Sequence, residues 1–159
     1  MCAGYISSAP LIFDLIVKPL IKRMLCLPEE RHVIRARLAM RVEGARGRKL
    51  LLPVSLVDAG TYVAAYPLPS ESGAIATLAQ ADGYTAIPEN VEFAAEGEEV
   101  AVNLFSPTYM PADLYIVGSH DLGLDGLIPL MRSYRVKTIY VGSIGGIIAI
   151  KRGEAGIAW

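Results

Sequence analysis

Two short apolar runs in the last third of the chain, each ending at a Gly-Ser pair, constrain the fold more than any other feature. Residues 114–117 run into Gly118 and Ser119, and residues 138–141 run into Gly142 and Ser143. Short apolar runs that alternate with amphipathic segments are typical of βαβ units, in which right-handed crossovers join parallel strands. We therefore expect both Gly-Ser turns at the same edge of an open sheet.

The carboxyl edge of an α/β sheet is where ligands bind, and helix N-termini there offer unpaired backbone N–H groups to anions. Our hypothesis is an oxyanion site formed by the hydroxyls of Ser119 and Ser143 and by the N–H groups of Ile144 and Gly145. The alternative is that each Gly-Ser pair supplies only turn geometry and an N-cap hydroxyl.

Composition limits the classes of protein that this chain can represent. With 53% apolar and 19% charged residues in 159, the chain has enough apolar sequence for a folded core, which argues against disorder. A net charge of −1 removes the global electrostatic case for a nucleic-acid partner. Cys2 and Cys26 give neither a metal-binding spacing nor a disulfide framework, which fits a cytoplasmic protein.

Residues 11–25 are apolar enough to raise the question of a membrane span or signal peptide. Charged residues interrupt the run, and no basic segment precedes it, so both are excluded. The spacing predicts an amphipathic helix of about four turns, kinked at Pro19. Its apolar stripe needs a covering surface, so we predict an assembly element that forms a dimer or packs on its own barrel. The stripe contains Leu11, Leu15, Ile16 and Leu20.

From residue 30 to residue 105, short strand patterns separated by glycine-containing turns predict a small barrel or sandwich. Within residues 31–42 the even positions from Ile34 to Val42 are apolar, and we predict one half-buried strand with a basic outer stripe. The stripe consists of Arg31, Arg35, Arg37 and Arg41. It is interpreted either as a phosphate site or as a solvated face partly neutralised by nearby glutamates.

Residues 71–88 carry the pattern Glu-Ser-Gly-Ala-Ile-Ala-Thr-Leu-Ala-Gln-Ala-Asp-Gly-Tyr-Thr-Ala-Ile-Pro, and residues 35–38 read Arg-Ala-Arg-Leu. Both resemble the C-terminal β-barrel domain of the MoeA-type molybdopterin molybdotransferases. The resemblance implies that Ser72, Gly73 and Arg35 help to hold the substrate. The family's further arginine falls on Glu30, and Arg31, one position away, is its possible substitute.

The ends of the chain extend this resemblance. Residues 2–20 resemble the final loop and helix of the family's catalytic domain, with Ala3 and Ile6 where the family has prolines. Residues 118–125 and 141–158 resemble the start of the periplasmic-binding-protein-like domain that some molybdotransferases carry after the barrel. In molybdate-binding relatives, the serines of these turns and nearby N–H groups hold the oxyanion.

Together these features predict a mixed α/β fold in three segments. Residues 1–27 form a helix resembling the end of the catalytic domain, residues 28–105 a small, mostly antiparallel β-barrel, and residues 106–159 a truncated parallel βαβαβ unit of periplasmic-binding-protein-like type. Pro129 should kink or shorten the helix expected after Asp121.

The resemblance implies a role in molybdenum cofactor biosynthesis. The family inserts molybdate or tungstate into a molybdopterin substrate with magnesium assisting, and its catalytic carboxylates lie in domains that would precede Met1. We expect no firmly bound cofactor, no metal site, no membrane association and no turnover by the chain alone. A separate catalytic subunit or a second copy of the chain is the expected protein partner. The alternatives are a non-enzymatic module that binds or delivers the oxyanion, and an inactive fragment.

Three other patterns do not predict a catalytic, nucleotide-binding or metal site. Ser119, His120 and Asp121 are adjacent in sequence and cannot form a catalytic triad. The glycines of residues 142–146 lack the dinucleotide-binding spacing and the P-loop lysine. His32 and His120 are too far apart in sequence to predict a metal pair.

Overall fold

A computed structural model describes residues 11–28, 31–68 and 79–159. They form two compact units, the first drawn from the ranges 1–56 and 65–109, the second from 57–64 and 110–159. None of the helices in these ranges has the length and apolar character that a membrane crossing requires.

The first unit is built on a closed five-stranded barrel, whose order is β1-β4-β3-β5-β7. Its β1–β7, β3–β5 and β5–β7 pairs are antiparallel. A separate two-stranded sheet pairs β2 with β6. The strands are β1 (Val33–Leu38), β2 (Val42–Glu43), β3 (Leu50–Asp58), β4 (Val63–Pro67), β5 (Gly83–Ile87), β6 (Phe93–Ala94) and β7 (Glu99–Leu104).

The barrel core consists of aliphatic side chains that point inward from strands on all sides. In β1, Ala36 and Leu38 are buried while Arg35 and Arg37 are exposed, which confirms the predicted alternation. Each fully buried large aliphatic side chain stabilises the fold by about 1.5 to 3 kcal/mol. The largest of them are Leu38, Val54, Leu56, Ile87 and Val102.

The prediction of one continuous strand over residues 31–42 was wrong. β1 ends at Leu38, the chain bends, and Val42–Glu43 belongs to the other sheet. Arg41 directly precedes this strand and so is separated from the arginines of β1. Its guanidinium carbon lies 4.2 Å from the centroid of the Phe93 ring. The basic stripe is therefore interrupted, because the two ends of the predicted strand pair with different partners.

The second unit is a parallel three-stranded sheet with helical connections, in the order β10-β8-β9. The predicted βαβαβ arrangement is confirmed. The helix after Asp121 is short and gives way to a 3-10 turn that contains Pro129, as predicted. The elements are β8 (Leu114–Gly118), Leu122–Leu127, the 3-10 turn Ile128–Leu130, β9 (Val136–Tyr140), Gly142–Lys151 and β10 (Ile157–Ala158).

The N-terminal helix is also present, although not as a regular α-helix. A π-helical turn, Phe13–Val17, runs directly into α1 (Lys18–Met24), whose first turn contains Pro19. Because proline has no N–H to donate, the usual hydrogen bond is lost at the point where the kink was predicted. Of the apolar stripe, Leu11 is 2% exposed but Leu20 is 56% exposed. Assembly through this face stays a prediction.

The helices of the second unit are named α2 (Leu122–Leu127) and α3 (Gly142–Lys151).

Candidate functional site

The parallel register of β8 and β9 places the two Gly-Ser turns side by side. Gly118 at the end of β8 is opposite Tyr140 at the end of β9, so each turn begins at the same level of the sheet. The hydroxyl oxygens of Ser119 and Ser143 lie 2.8 Å apart and share a hydrogen bond. The prediction that both turns share one edge is confirmed.

This edge is also where the direction of strand addition reverses. The chain passes from the central strand β8 to β9 on one side, and then returns to place β10 on the other. In open α/β sheets such a switch point opens a crevice beyond the carboxyl ends of the strands. The serine pair lies at that position.

Glycine is required in the second turn and closely packed in the first. Gly142 has φ +79°, in the left-handed region that other residues rarely adopt. A Cβ at Gly118 would collide with the backbone carbonyl of Trp159, which accepts a 2.9 Å hydrogen bond from the N–H of Ser119. The backbone of Ser119 is thus fixed and its N–H is in use, while its hydroxyl is directed to Ser143.

The N-terminus of α3 supplies the backbone donors. Its N-cap residue, Val141, has no side-chain hydrogen bond to the helix, and the first turn contains no acidic residue. In a helix that begins at Gly142, the N–H groups of Ser143 and Ile144 precede the first intrahelical bond, whereas that of Gly145 is the first donor within the helix. The positive end of the helix dipole favours an anion here. Ile144 therefore fits the predicted role better than Gly145 does.

A cluster of His120, Asp125 and Tyr140 lies at the same edge, and the sequence analysis did not predict it. His120 Nε2 is 3.1 Å from Asp125 Oδ2, and the Tyr140 hydroxyl donates to Asp125 Oδ1 at 3.0 Å. The rings of His120 and Tyr140 meet edge to face, with centroids 4.9 Å apart. Burial is the main cause that raises the pKa of Tyr140.

Two features indicate that these three residues lie near one another, although they do not give the directions of the side chains. Tyr140 is the last residue of β9 and is paired with the residue before Ser119. Asp125 lies one helical turn after the N-cap Asp121, whose carboxylate accepts from the N–H of Gly123. A histidine between a strand end and such a helix is within reach of both.

The barrel residues predicted to hold substrate lie in the first unit. Arg35 is on the outer face of β1, where its side chain is 82% exposed and its guanidinium makes a 2.7 Å ion pair with Glu99 of the neighbouring strand. Arg31 precedes β1 and lines a cleft beside the N-terminal helix. Ser72 and Gly73 fall outside the described residues, and their predicted roles stay predictions.

The described residues provide no group of three or more His, Cys, Asp or Glu side chains that would hold a metal ion. The carboxylate chemistry that magnesium prefers is therefore not gathered at any point in these ranges. The involvement of magnesium, molybdate and tungstate stays a prediction, and no chemical step is assigned to the metal.

The fold and the site define a mixed α/β protein with a closed β-barrel and a parallel sheet whose carboxyl edge carries a pair of serines. Residues 35–105 match the family described as MoeA C-terminal region (domain IV). The matched part of the chain extends from β1 to β7 and is similar to that family. The recognition made from residues 35–38 and 71–88 is confirmed.

Solved structures give the same result. The molybdopterin biosynthesis MoeA protein from Pyrococcus horikosii is 39% identical over 65% of this chain, with a TM-score of 0.56. The molybdenum cofactor biosynthesis protein from Pyrococcus furiosus is 30% identical over 64% of the chain, also with a TM-score of 0.56. The chain covers 25% of the first structure and 36% of the second. No curated protein matches the chain.

Proposed function

We propose that this chain acts in molybdenum cofactor biosynthesis as the C-terminal portion of a molybdotransferase-like protein. In this role it helps to hold molybdate or tungstate and the molybdopterin substrate for metal insertion. The family assignment of residues 35–105 supports the pathway. The observation that carries the oxyanion role is the 2.8 Å contact between the hydroxyls of Ser119 and Ser143 beside the uncapped start of α3.

The proposed site binds a tetrahedral oxyanion through four donors. Two are the serine hydroxyls, which turn from each other toward the ligand, and two are the N–H groups of Ser143 and Ile144. Hydrogen bonds to a charged acceptor contribute about 1.5 to 3 kcal/mol each before the cost of ordering is subtracted. Because Ser143 is exposed, water competes for the anion, and we expect millimolar affinity, which corresponds to about 4 kcal/mol.

The chemical step would be carried out by groups outside the described residues. No carboxylate cluster for metal-assisted transfer lies within them. We propose that a catalytic subunit, or the catalytic domain of a longer protein, supplies those groups while this chain supplies the oxyanion site. The chain covers only 25% of the Pyrococcus horikosii structure, so the activity of the whole protein is part of this proposal.

Titration calorimetry with molybdate, tungstate and sulfate tests the oxyanion site. We expect the Ser119→Ala, Ser143→Ala double variant to bind at least about tenfold more weakly than the wild type, since two donors are lost. Ser133→Ala is the matched control, because Ser133 is exposed in the same unit but outside both turns. Equal affinities for the wild type and the double variant would show that the turns have only a structural role.

The second candidate is a non-enzymatic module that binds or delivers the oxyanion. The observation in its favour is that every proposed donor lies in the parallel sheet unit, outside the residues matched to the family. Adding a purified catalytic subunit and its pterin substrate separates the two candidates. Metal insertion that depends on this chain supports the molybdotransferase role, whereas oxyanion binding without any effect on insertion supports the binding module.

A further inference from the structure

Helix α3 presents a row of isoleucines on the side that faces away from its sheet. Its buried residues, Gly146 and Ala149, lie on the opposite side, and a Cβ at Gly146 would meet the backbone of β8. Residues spaced by three and four share one face of a helix. We call the four that lie opposite the buried side the outer row; they are Ile144, Ile147, Ile148 and Lys151.

The outer row exposes enough apolar surface to mark an interface. Ile144, Ile147 and Ile148 are 76%, 54% and 40% exposed. Together they present on the order of 300 Å² of contiguous apolar surface, which monomeric proteins seldom leave uncovered. Two copies covering each other here would bury about twice that area from these side chains, less than a permanent dimer needs. The row therefore indicates a weak dimer that depends on concentration.

A second copy of α3 fits the outer row when the two helices lie antiparallel. A two-fold axis at Ile147 places each residue opposite the one equally far from Ile147 in the other helix. Ser143 then lies at the level of the partner subunit's Lys151, since both are four residues from the axis. The isoleucines meet between them, and each end of the pair combines one helix N-terminus with one lysine.

The charges at these ends make the pairing depend on an anion. The first turn of α3 has no acidic residue, and its last turn contains Lys151, which is exposed. Without a ligand, the lysine of one copy faces the positive end of the other helix, which disfavours association. An oxyanion at the N–H groups of Ser143 and Ile144 reverses this effect, because the lysine then faces a negative charge.

We propose that a second copy of this chain docks antiparallel on α3 and that its Lys151 completes the oxyanion site of the first. This inference rests on the proposed function, because it adds a ligand contact to the site of the serine pair. Each of the two sites is shared between the subunits. Binding and association are therefore linked: the oxyanion favours the dimer, and the dimer holds the oxyanion more tightly.

Sedimentation velocity of the full chain, with tungstate or with chloride at equal ionic strength, measures the association. We expect a dimer fraction that rises with protein concentration and rises further with tungstate. Ile147→Glu should abolish the dimer, because it places two like charges at the axis. Leu130→Glu adds the same charge to an exposed leucine outside α3 and should have no effect. A monomer under all conditions, or a dimer that Ile147→Glu leaves intact, would overturn the proposal and show that another partner, or none, covers α3.

Lys151→Gln tests whether the site is shared. Titration calorimetry should show tungstate affinity reduced by about three- to fivefold, since one charge-assisted contact is lost. Arg132→Gln is the matched control, because Arg132 is exposed in the same unit but precedes β9, at the opposite edge of the sheet. It should change the affinity by less than about twofold. Equal effects of the two variants would overturn the role of Lys151.

A cysteine at the axis tests the interface without a ligand. In a Cys2→Ser, Cys26→Ser background, Ile147→Cys should form a disulfide-linked dimer under mild oxidation. Ile144→Cys should not, since about 9 Å of helix rise separates it from its copy in the partner. Tungstate binding without cross-linking would overturn this inference and leave the proposed function standing. Cross-linking without tungstate binding would overturn the shared site together with the proposed function.

Discussion

The barrel and the parallel sheet unit use their strands in opposite ways. In the barrel, closure pairs every strand with two neighbours, and residues 52–57 of β3 are buried without interruption. The second unit has an open sheet with β9 and β10 at its edges. Its strand ends are free to carry polar groups, such as the serine pair and the His120 cluster. A closed sheet gives a stable frame, while an open one offers its carboxyl edge to a ligand.

The surfaces of the barrel and of the parallel sheet unit also differ. Basic groups on the outside of the barrel are neutralised locally, as Arg35 is by Glu99 and Arg46 by Glu92. In the second unit, α3 is apolar on all sides, yet Ile144 is 76% and Ile147 54% exposed. A helix of this kind is normally buried. The barrel therefore has the better buried core, and we expect it to be the more stable region.

The largest expected effect would come from the barrel core. Leu56→Ala should lower the free energy of unfolding by about 3 kcal/mol, because Leu56 is fully buried and its truncation leaves a cavity. Leu130→Ala in the second unit is the control; Leu130 is 75% exposed and should change stability by less than about 0.5 kcal/mol. Urea unfolding measures both. Similar losses would mean that the two regions do not differ as described.

The next effect would test the packing of α3 on its sheet. A Cβ at Gly146 would meet the backbone carbonyl of Val117 in β8, so Gly146→Ala should destabilise the protein by about 2 kcal/mol. Gly126 in α2 faces open space, and Gly126→Ala should stabilise by about 0.5 to 1 kcal/mol through helix propensity. Thermal unfolding of the two variants should shift in opposite directions. A neutral Gly146→Ala would show that α3 does not lie close to β8.

A smaller effect would appear at alkaline pH in both regions. The pKa values of Tyr84 and Tyr140 are raised, mainly by burial, above the ordinary value of 10.0. The unfolded chain therefore loses these protons first, and the stability they contribute is present below about pH 10 and lost as pH rises further. Urea unfolding measures the free energy of unfolding at about pH 9 and about pH 11. Its decrease between the two pH values should be smaller for Tyr84→Phe and for Tyr140→Phe than for the wild type. An unchanged loss in either variant would contradict the burial of that phenol.

The smallest effect would be at the barrel surface. Arg35→Glu should cost less than about 1 kcal/mol, because the ion pair with Glu99 is largely exposed. The double exchange Arg35→Glu, Glu99→Arg restores the pair and should recover most of this loss. If Arg35→Glu instead unfolds the protein, the residue has a structural role and the predicted contact with substrate has no support.

Local patterns predicted most of the fold. The alternation in β1, the glycine turns that bound the barrel strands, and the apolar runs of β8 and β9 are features of neighbouring residues. The break after Leu38 and the strand Phe93–Ala94 could not be predicted, because each depends on a partner that is distant in sequence. β10 was predicted only as the third strand of the βαβαβ unit, and its residues could not be located, since they form a strand only through pairing with β8.

The candidate site could likewise be predicted only in part. The adjacency of Ser119 and Ser143 followed from parallel pairing alone, which the apolar runs indicated. The contacts of His120 with Asp125 and Tyr140 depend on side-chain directions that no spacing rule gives. The hydrogen bond from the Ser119 N–H to the Trp159 carbonyl could not be predicted either, because it depends on where β10 lies.

The most direct test of the account is to map tungstate binding residue by residue with amide NMR on the wild-type chain. We predict saturable shifts at the N–H groups of Ser143 and Ile144 and at Ser119, with millimolar affinity and no comparable shifts in β1 or β7. The control is the Ser119→Ala, Ser143→Ala variant, in which these shifts should disappear. Shifts confined to the barrel, or unchanged in the variant, would contradict the claim that the open sheet edge holds the oxyanion.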